Sequence, residues 1–205
     1  MKLYLSSFKL GNEVEKFRNL IPKGNLRLAY ISNALDSVSD KTKREQSEQR
    51  EIELLEGHGL KVEKLDLREY FNQPEKLEHK ISEYGVIWVR GGNVFVLRQA
   101  MYLSGFDKLF HKLMKRDDLL YAAYSAGVCV LSPSLRGYEL VDDPEAKPYG
   151  DLPTIWEGLS ILDYTFVPHW QSDHPESADI DKEIEYLKEN NITYKALHDG
   201  EVIIV

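Results

Sequence analysis

A chain of 205 residues with 42% hydrophobic and 29% charged residues has the composition of a globular protein, and its length suits one α/β domain over residues 1–205. The formal net charge of −8 disfavours nucleic acid and anionic membranes as partners, because like charges repel. No apolar stretch approaches the roughly 20 residues of a membrane span, and the single cysteine, Cys129, cannot form an internal disulfide, so we expect a cytoplasmic protein.

Short apolar runs predict five strands in the N-terminal part of the chain, at residues 2–6, 26–32, 61–67, 85–89 and 119–124. Amphipathic segments predict helices at residues 40–57, 74–83, 94–103, 106–116 and 176–190. Two final apolar runs, at 193–197 and 201–205, predict a C-terminal β-hairpin around Asp199-Gly200. Alternating strands and helices predict a mostly parallel sheet with helices on both faces.

The strongest chemical motif is the turn Ala123-Tyr124-Ser125-Ala126-Gly127, which follows the apolar strand at 119–124. A serine between small residues, at the point where a strand passes into a helix, is typical of a nucleophile elbow. The first glycine of the usual elbow is replaced by Ala123. The alternative is that Ser125 only caps a helix, because serine is a favoured N-cap residue.

A second motif, Arg90-Gly91-Gly92-Asn93, follows the strand at 85–89. Open α/β sheets bind ligands at the carboxyl ends of their strands, and glycines let backbone amides approach a ligand closely. We therefore predict that the Gly92 and Ala126 amides form an oxyanion hole. The alternative is a plain helix start with Asn93 as N-cap.

A third motif is Pro168-His169, after the apolar run at 161–167. A histidine at a strand end can accept the serine proton, so His169 is the predicted general base and His174 is its rival. A base needs an orienting acid, and several carboxylates lie between the serine and His169. We favour Glu139 because it sits among apolar neighbours, with Asp142 and Asp143 as alternatives.

The three motifs, in this order and each after an apolar run, resemble the dipeptidase E and cyanophycinase group of serine peptidases. The resemblance rests on Gly91-Gly92-Asn93, Ser125-Ala126-Gly127 and Pro168-His169 and extends over most of the chain. It implies a flavodoxin-like sheet related to class I glutamine amidotransferases. It also implies that Ser125 is the nucleophile of a charge relay with His169. No metal or organic cofactor is implied.

Some members of that group cleave after an N-terminal aspartate, which requires a cationic pocket. Arg136 or Arg90 could supply the charge, and Asn93 and Arg136 are the predicted substrate-binding residues. The predicted function is a serine peptidase that hydrolyses small peptides, as a monomer or homodimer. The alternatives are an esterase or amidase on the same elbow, and a catalytically silent module that binds a metabolite.

Overall fold

A computed structural model describes residues 1–205 and confirms the predicted α/β class. It contains eight strands: β1 Lys2–Ser6, β2 Arg27–Ile31, β3 Lys61–Lys64, β4 Val86–Val89, β5 Leu120–Tyr124, β6 Thr165–Val167, β7 Tyr194–Ala196 and β8 Val202–Ile204. Six of them form a central sheet in the order β3-β2-β4-β5-β1-β8. The first five are parallel to one another, and β8 runs antiparallel to β1 at the edge.

Seven α-helices accompany the strands: α1 Val14–Leu20, α2 Lys41–Glu56, α3 Pro74–Ile81, α4 Val94–Ser104, α5 Phe106–Leu113, α6 Ala126–Cys129 and α7 Ser177–Glu189. Three of the helices begin or end at a residue suited to that position. Asp40 caps α2 by accepting the Lys43 amide, Pro74 opens α3, and Gly105 closes α4 with a φ of +76°. No helix is both long enough and apolar enough to cross a membrane.

Both faces of the central sheet are covered, because side chains alternate along its buried strands. On β1, Leu3 and Leu5 belong to the larger core, together with residues of α3, α4 and α5, whereas Tyr4 points into the core shared with α1 and α2. Strands that are buried on both faces are expected to be apolar throughout. This explains why β4 and β5 were visible in the sequence as continuous apolar runs.

The two C-terminal strands form close to their predicted positions but do not pair with each other, so the predicted hairpin is wrong. Strand β7 lies parallel to β6 in a separate two-stranded sheet, and β8 completes the central sheet beside β1. Strand β8 pairs with β1 and strand β7 pairs with β6, and both partners are distant in the sequence. A local turn motif cannot reveal such long-range pairing. The segment around Asp199 therefore crosses from one sheet to the other.

The proline-punctuated stretch at 132–156 forms a long surface loop with one short 3₁₀ turn, Tyr138–Leu140. Its contacts tie it to α4: the Val94 amide donates to Asp142, and the Gln99 side chain donates to the Ala146 carbonyl. The loop therefore covers the helix that starts beside the Gly91-Gly92 turn, at the carboxyl edge of the sheet.

Candidate active site

Ser125 follows β5 directly and occupies a strained turn. Its backbone has a φ of +47° and a ψ of −122°, a region that non-glycine residues rarely adopt. Its amide donates to the Ser6 carbonyl, and its side chain makes no capping bond to α6. The helix-cap alternative is therefore wrong, and the strain is of the kind that persists where a side chain must be presented at a functional site.

Two glycines make room for this turn. A Cβ on Gly91 would lie 3.0 Å from the Cβ of Ser125, and a Cβ on Gly127 would lie 2.4 Å from the Val89 carbonyl oxygen. The second contact is with backbone of the neighbouring strand, which cannot move aside without distorting the sheet. The glycine at position 127 is therefore required by the close approach of α6 to β4.

Replacing Gly127 with Ala should lower the free energy of unfolding by about 1–3 kcal/mol, the usual cost of overpacking. Thermal and urea unfolding would measure the change. Gly24→Ala is the matched control, because a Cβ at Gly24 meets no atom within 4 Å. Equal stability of the Gly127→Ala and Gly24→Ala proteins would contradict the packing described here.

Gly92 and Ala126 line the same cleft as Ser125. The Gly92 amide donates to no other group of the chain, and Ala126, as the first residue of α6, has no carbonyl to bond within its own helix. Gly92 has a φ of +142°, and a Cβ there would meet the Ala34 carbonyl at 2.6 Å. Two free donors next to a strained serine can stabilise an oxyanion.

His169 lies just beyond β6, is 1% exposed and has a φ of +59°. Its Nδ1 bonds to the Asp199 carboxylate at 2.7 Å. Asp199 lies between β7 and β8 and is only partly buried. A carboxylate on Nδ1 fixes the ring and leaves Nε2 available as a proton acceptor.

Ser7, one residue past β1, connects the parts of the site. Its hydroxyl oxygen accepts the His169 amide at 2.9 Å and lies 3.1 Å from the Asp199 carboxylate, to which it can donate. The preceding residue, Ser6, accepts the amide of Ser125. The carboxyl end of β1 thus contacts both the serine turn and the His169–Asp199 pair. Sequence reasoning did not identify Ser7 or Asp199.

Burial lowers the pKa of His169 below its usual value, and the neighbouring His174 adds to this effect, while the bond to Asp199 opposes it. A general base must be neutral. We therefore expect kcat/KM to rise with pH along an acid limb whose midpoint lies below 6.5, the ordinary histidine pKa. His174→Gln should shift this midpoint upward, because it removes a neighbouring positive charge. A wild-type midpoint above 6.5 would contradict the assignment.

Glu139 does not contact His169, so its prediction as the orienting acid is corrected. Its carboxylate turns back onto the Gly137 amide of its own turn. Asp142 accepts the Val94 amide, and Asp143 accepts the Glu145 amide. The position expected for Glu139 is taken by Asp199, which the chain brings to His169 from the far side of α7.

The side chains of Asn93 and Arg136, the predicted substrate-binding residues, contact other parts of the chain. Asn93 caps α4 by accepting the Phe95 and Val96 amides and donates to the Asp143 carbonyl. Arg136 stacks on the Trp156 ring at 3.6 Å. Neither side chain lines the cleft of Ser125. The substrate-binding roles of Asn93 and Arg136 therefore stay predictions without support from this cleft.

Arg90 is also engaged elsewhere. Its guanidinium donates to the Tyr30 hydroxyl and to Ser47, and it lies 3.6 Å from Glu51. These partners belong to the face of the sheet covered by α2. Arg90 therefore adds no positive charge to the cleft that contains Ser125.

His169, His174 and Glu176 form the one cluster in the structure with metal-binding side chains, their ligand atoms lying within 4.8 Å of one another. The two rings are stacked, with centroids 3.8 Å apart and planes 8° from parallel. The lone pairs of parallel rings point in parallel planes, so they do not converge on one ion as a tetrahedral zinc site requires. The arrangement does not fit a metal, and His174 is a packing partner of the base.

Comparison with known proteins relates the whole chain to one family. A model of peptidase family S51 matches residues 6–205. The chain is 30% identical over 118 residues to an uncharacterized peptidase of Listeria monocytogenes, over 58% of this chain and 55% of that protein. It is 29% identical over 126 residues to peptidase E of Streptomyces coelicolor, over 59% and 49% of the two chains. These alignments span about half the length of the curated relatives.

Two solved structures share the fold. A protein from Listeria monocytogenes assigned to peptidase E superposes with a TM-score of 0.72 at 23% identity, covering 100% of this chain and 97% of that one. A peptidase from an acI-B1 Actinobacterium superposes with a TM-score of 0.66 at 15% identity, covering 100% and 82%. At these identities the structural likeness supports the shared architecture only. The chemistry is argued from the residues of the site in this chain.

Proposed function

The chain belongs to peptidase family S51, and from that premise we propose that it is a serine peptidase that hydrolyses small peptides through an acyl-enzyme on Ser125. The observation that carries the proposal is the strained Ser125 turn, which lines one cleft together with Gly92 and Ala126, two residues whose amides donate to no other group of the chain. This is the geometry of acyl transfer, in which a nucleophile needs oxyanion donors beside it.

In the proposed mechanism, His169 Nε2 takes the proton of the Ser125 hydroxyl as Oγ bonds to the peptide carbonyl carbon. The carbonyl oxygen becomes an oxyanion held by the Gly92 and Ala126 amides. The imidazolium, stabilised by Asp199, gives its proton to the leaving amine as the C–N bond breaks. Water then attacks the ester by the same steps, which releases the acid and restores the serine.

Ser125 and His169 make no hydrogen bond to each other in this structure. Such bonds are often long or unmade before substrate binds and tighten in the substrate complex. The proposal therefore requires that the hydroxyl and Nε2 meet when a peptide occupies the cleft.

The absence of a hydrogen bond between Ser125 and His169 also favours the second candidate, a catalytically silent module that binds a metabolite. The two candidates differ in turnover. A dipeptide-library hydrolysis screen, with Ser125→Ala protein as the blank, distinguishes them: peptide cleavage that is lost in the variant supports the peptidase. Turnover of p-nitrophenyl esters without any peptide cleavage would indicate an esterase, and no turnover of either would favour the binding module.

Asp-Xaa dipeptides, the substrates expected from the family resemblance, belong in that screen. Their binding would need a positive charge beside Ser125, and Arg90 and Arg136 are both engaged elsewhere. We accordingly propose small peptides without an aspartate requirement. As part of the same proposal we assign the protein to the cytoplasm, which agrees with a lone, buried Cys129 thiol.

A further inference from the structure

Ser7 is a fully buried serine whose hydroxyl contacts both members of the base–acid pair. It is 0% exposed and follows β1, the strand that lies between β5 and β8 in the central sheet. Its hydroxyl oxygen accepts the His169 amide at 2.9 Å. The same oxygen lies 3.1 Å from Asp199 Oδ1 and 3.3 Å from the Leu197 carbonyl oxygen. Two acceptors therefore compete for the one proton of this hydroxyl.

The carboxylate of Asp199 is the better of the two acceptors. It is the nearer one, and a charged carboxylate accepts a stronger hydrogen bond than a neutral carbonyl does. The Ser7 proton therefore belongs to Asp199. Oδ1 then accepts two hydrogen bonds, one from the Ser7 hydroxyl and one from His169 Nδ1. Two donors that approach one oxygen from different sides fix the orientation of the carboxylate more tightly than the imidazole alone does.

Asp199 depends on such support because it lies in a turn. The turn connects β7 with β8, and the Asp199 side chain is 22% exposed. The backbone of the residue is held by Ser172, whose hydroxyl oxygen accepts the Asp199 amide at 2.7 Å. Only Ser7 and His169 bond to the carboxylate itself. Ser7 is thus the one neighbour that orients the carboxylate independently of the imidazole.

The backbone of Ser7 connects this hydroxyl to the strand that carries the nucleophile. Its neighbour Ser6 belongs to β1, which pairs with β5, and the Ser6 carbonyl accepts the Ser125 amide at 3.3 Å. The Ser7 amide donates to the Glu201 carbonyl, two residues beyond Asp199. The same short segment is therefore hydrogen-bonded both to the serine turn and to the turn that carries the acid.

Resting on the proposed peptidase function, we propose that Ser7 is a positioning residue, whose hydroxyl holds the Asp199 carboxylate on His169 Nδ1. The ring then keeps its proton on Nδ1 and leaves Nε2 free to accept the proton of Ser125. Ser7 acts through Asp199, and it does not line the cleft of Ser125. Its loss should therefore lower kcat and leave KM nearly unchanged.

The test is a double-mutant cycle between Ser7 and Asp199, measured on the dipeptide that the protein cleaves fastest. Ser7→Ala alone should lower kcat by about 10- to 100-fold, the range for a hydrogen bond to a charged group. In Asp199→Asn protein the carboxylate is already gone, so adding Ser7→Ala there should cost much less. This non-additivity is a readout that a purely structural role would not produce, because independent effects on kcat multiply.

Ser104→Ala is the matched control, since Ser104 is also 0% exposed but its hydroxyl donates to the Ala100 carbonyl of its own helix. It should keep the wild-type kcat. Thermal melts establish which proteins are folded. Ser7→Cys, which keeps the side-chain shape but carries a weakly bonding thiol, is the second variant should Ser7→Ala not fold, and kcat should fall in it as well.

A wild-type kcat in folded Ser7→Ala or Ser7→Cys protein would overturn the positioning role. Losses from Ser7→Ala and Asp199→Asn that multiply in the double variant would also overturn it. Fluorophosphonate labelling of wild-type Ser125 does not depend on the Ser7 variants, so it separates failure of this inference from failure of the peptidase proposal.

Discussion

Ser125→Ala protein is expected to lose peptide hydrolysis by about 10⁴- to 10⁶-fold in kcat/KM, the range seen when a catalytic nucleophile is removed. The physical reason is that no other hydroxyl or thiol is presented in a strained turn beside two free amides. The rate would be measured on whichever dipeptide the screen finds to be cleaved fastest.

Ser82→Ala is the control for that experiment. The Ser82 hydroxyl only caps the end of α3 and is exposed, so the variant should keep wild-type activity. Retention of more than about a tenth of the activity by Ser125→Ala protein would mean that the chemistry occurs elsewhere.

Asp199→Asn protein is expected to lose about 10³- to 10⁴-fold in kcat, as happens when the carboxylate of a serine hydrolase triad becomes an amide. The amide can still occupy the space beside His169 Nδ1, but it cannot stabilise the imidazolium and it can hold the ring in the wrong tautomer. Most of the loss should therefore fall on kcat and little on KM.

Glu139→Gln protein tests the assignment that the sequence favoured. Because the Glu139 carboxylate bonds only to its own turn at Gly137, this variant should stay within a few-fold of wild-type kcat. A large loss in Glu139→Gln with a small loss in Asp199→Asn would reverse the assignment of the orienting acid.

The parts of the site that were predictable from sequence share one property. Ser125 and Gly92 follow strands β5 and β4 of the central sheet, whose parallel strands have their carboxyl ends at one edge. His169 follows β6 of the second sheet and was predicted from its place after an apolar run. Local pattern and topology together therefore locate Ser125 and Gly92 in one cleft. The amide of Ala126 follows from Ser125, because it is the next residue in the chain.

Asp199 could not be found in the same way. It lies in the segment between β7 and β8, and Asp-Gly there has the pattern of a hairpin turn. Its partnership with His169 depends on β7 and β8 joining different sheets, which is a property of long-range pairing. Ser7 was missed for a related reason, since a serine that follows a strand carries no signal until its spatial neighbours are known.

The same contrast holds for the fold. Strands β4 and β5 were predicted nearly to the residue because burial on both faces makes them apolar throughout. Strand β1 was predicted from its buried centre, Leu3-Tyr4-Leu5. Helix α1 was missed: it has seven residues, no side-chain cap and one buried residue, Phe17. Such a helix is stabilised by packing rather than by its own sequence.

Labelling with a fluorophosphonate, followed by mass spectrometry of the modified peptide, tests the central assignment most directly. An activated serine beside oxyanion donors should react, so the wild-type protein should carry one adduct, on Ser125, and Asp199→Asn protein should be labelled far more slowly. An unmodified wild-type protein, or equal modification of Ser125→Ala protein, would contradict the nucleophile proposed here.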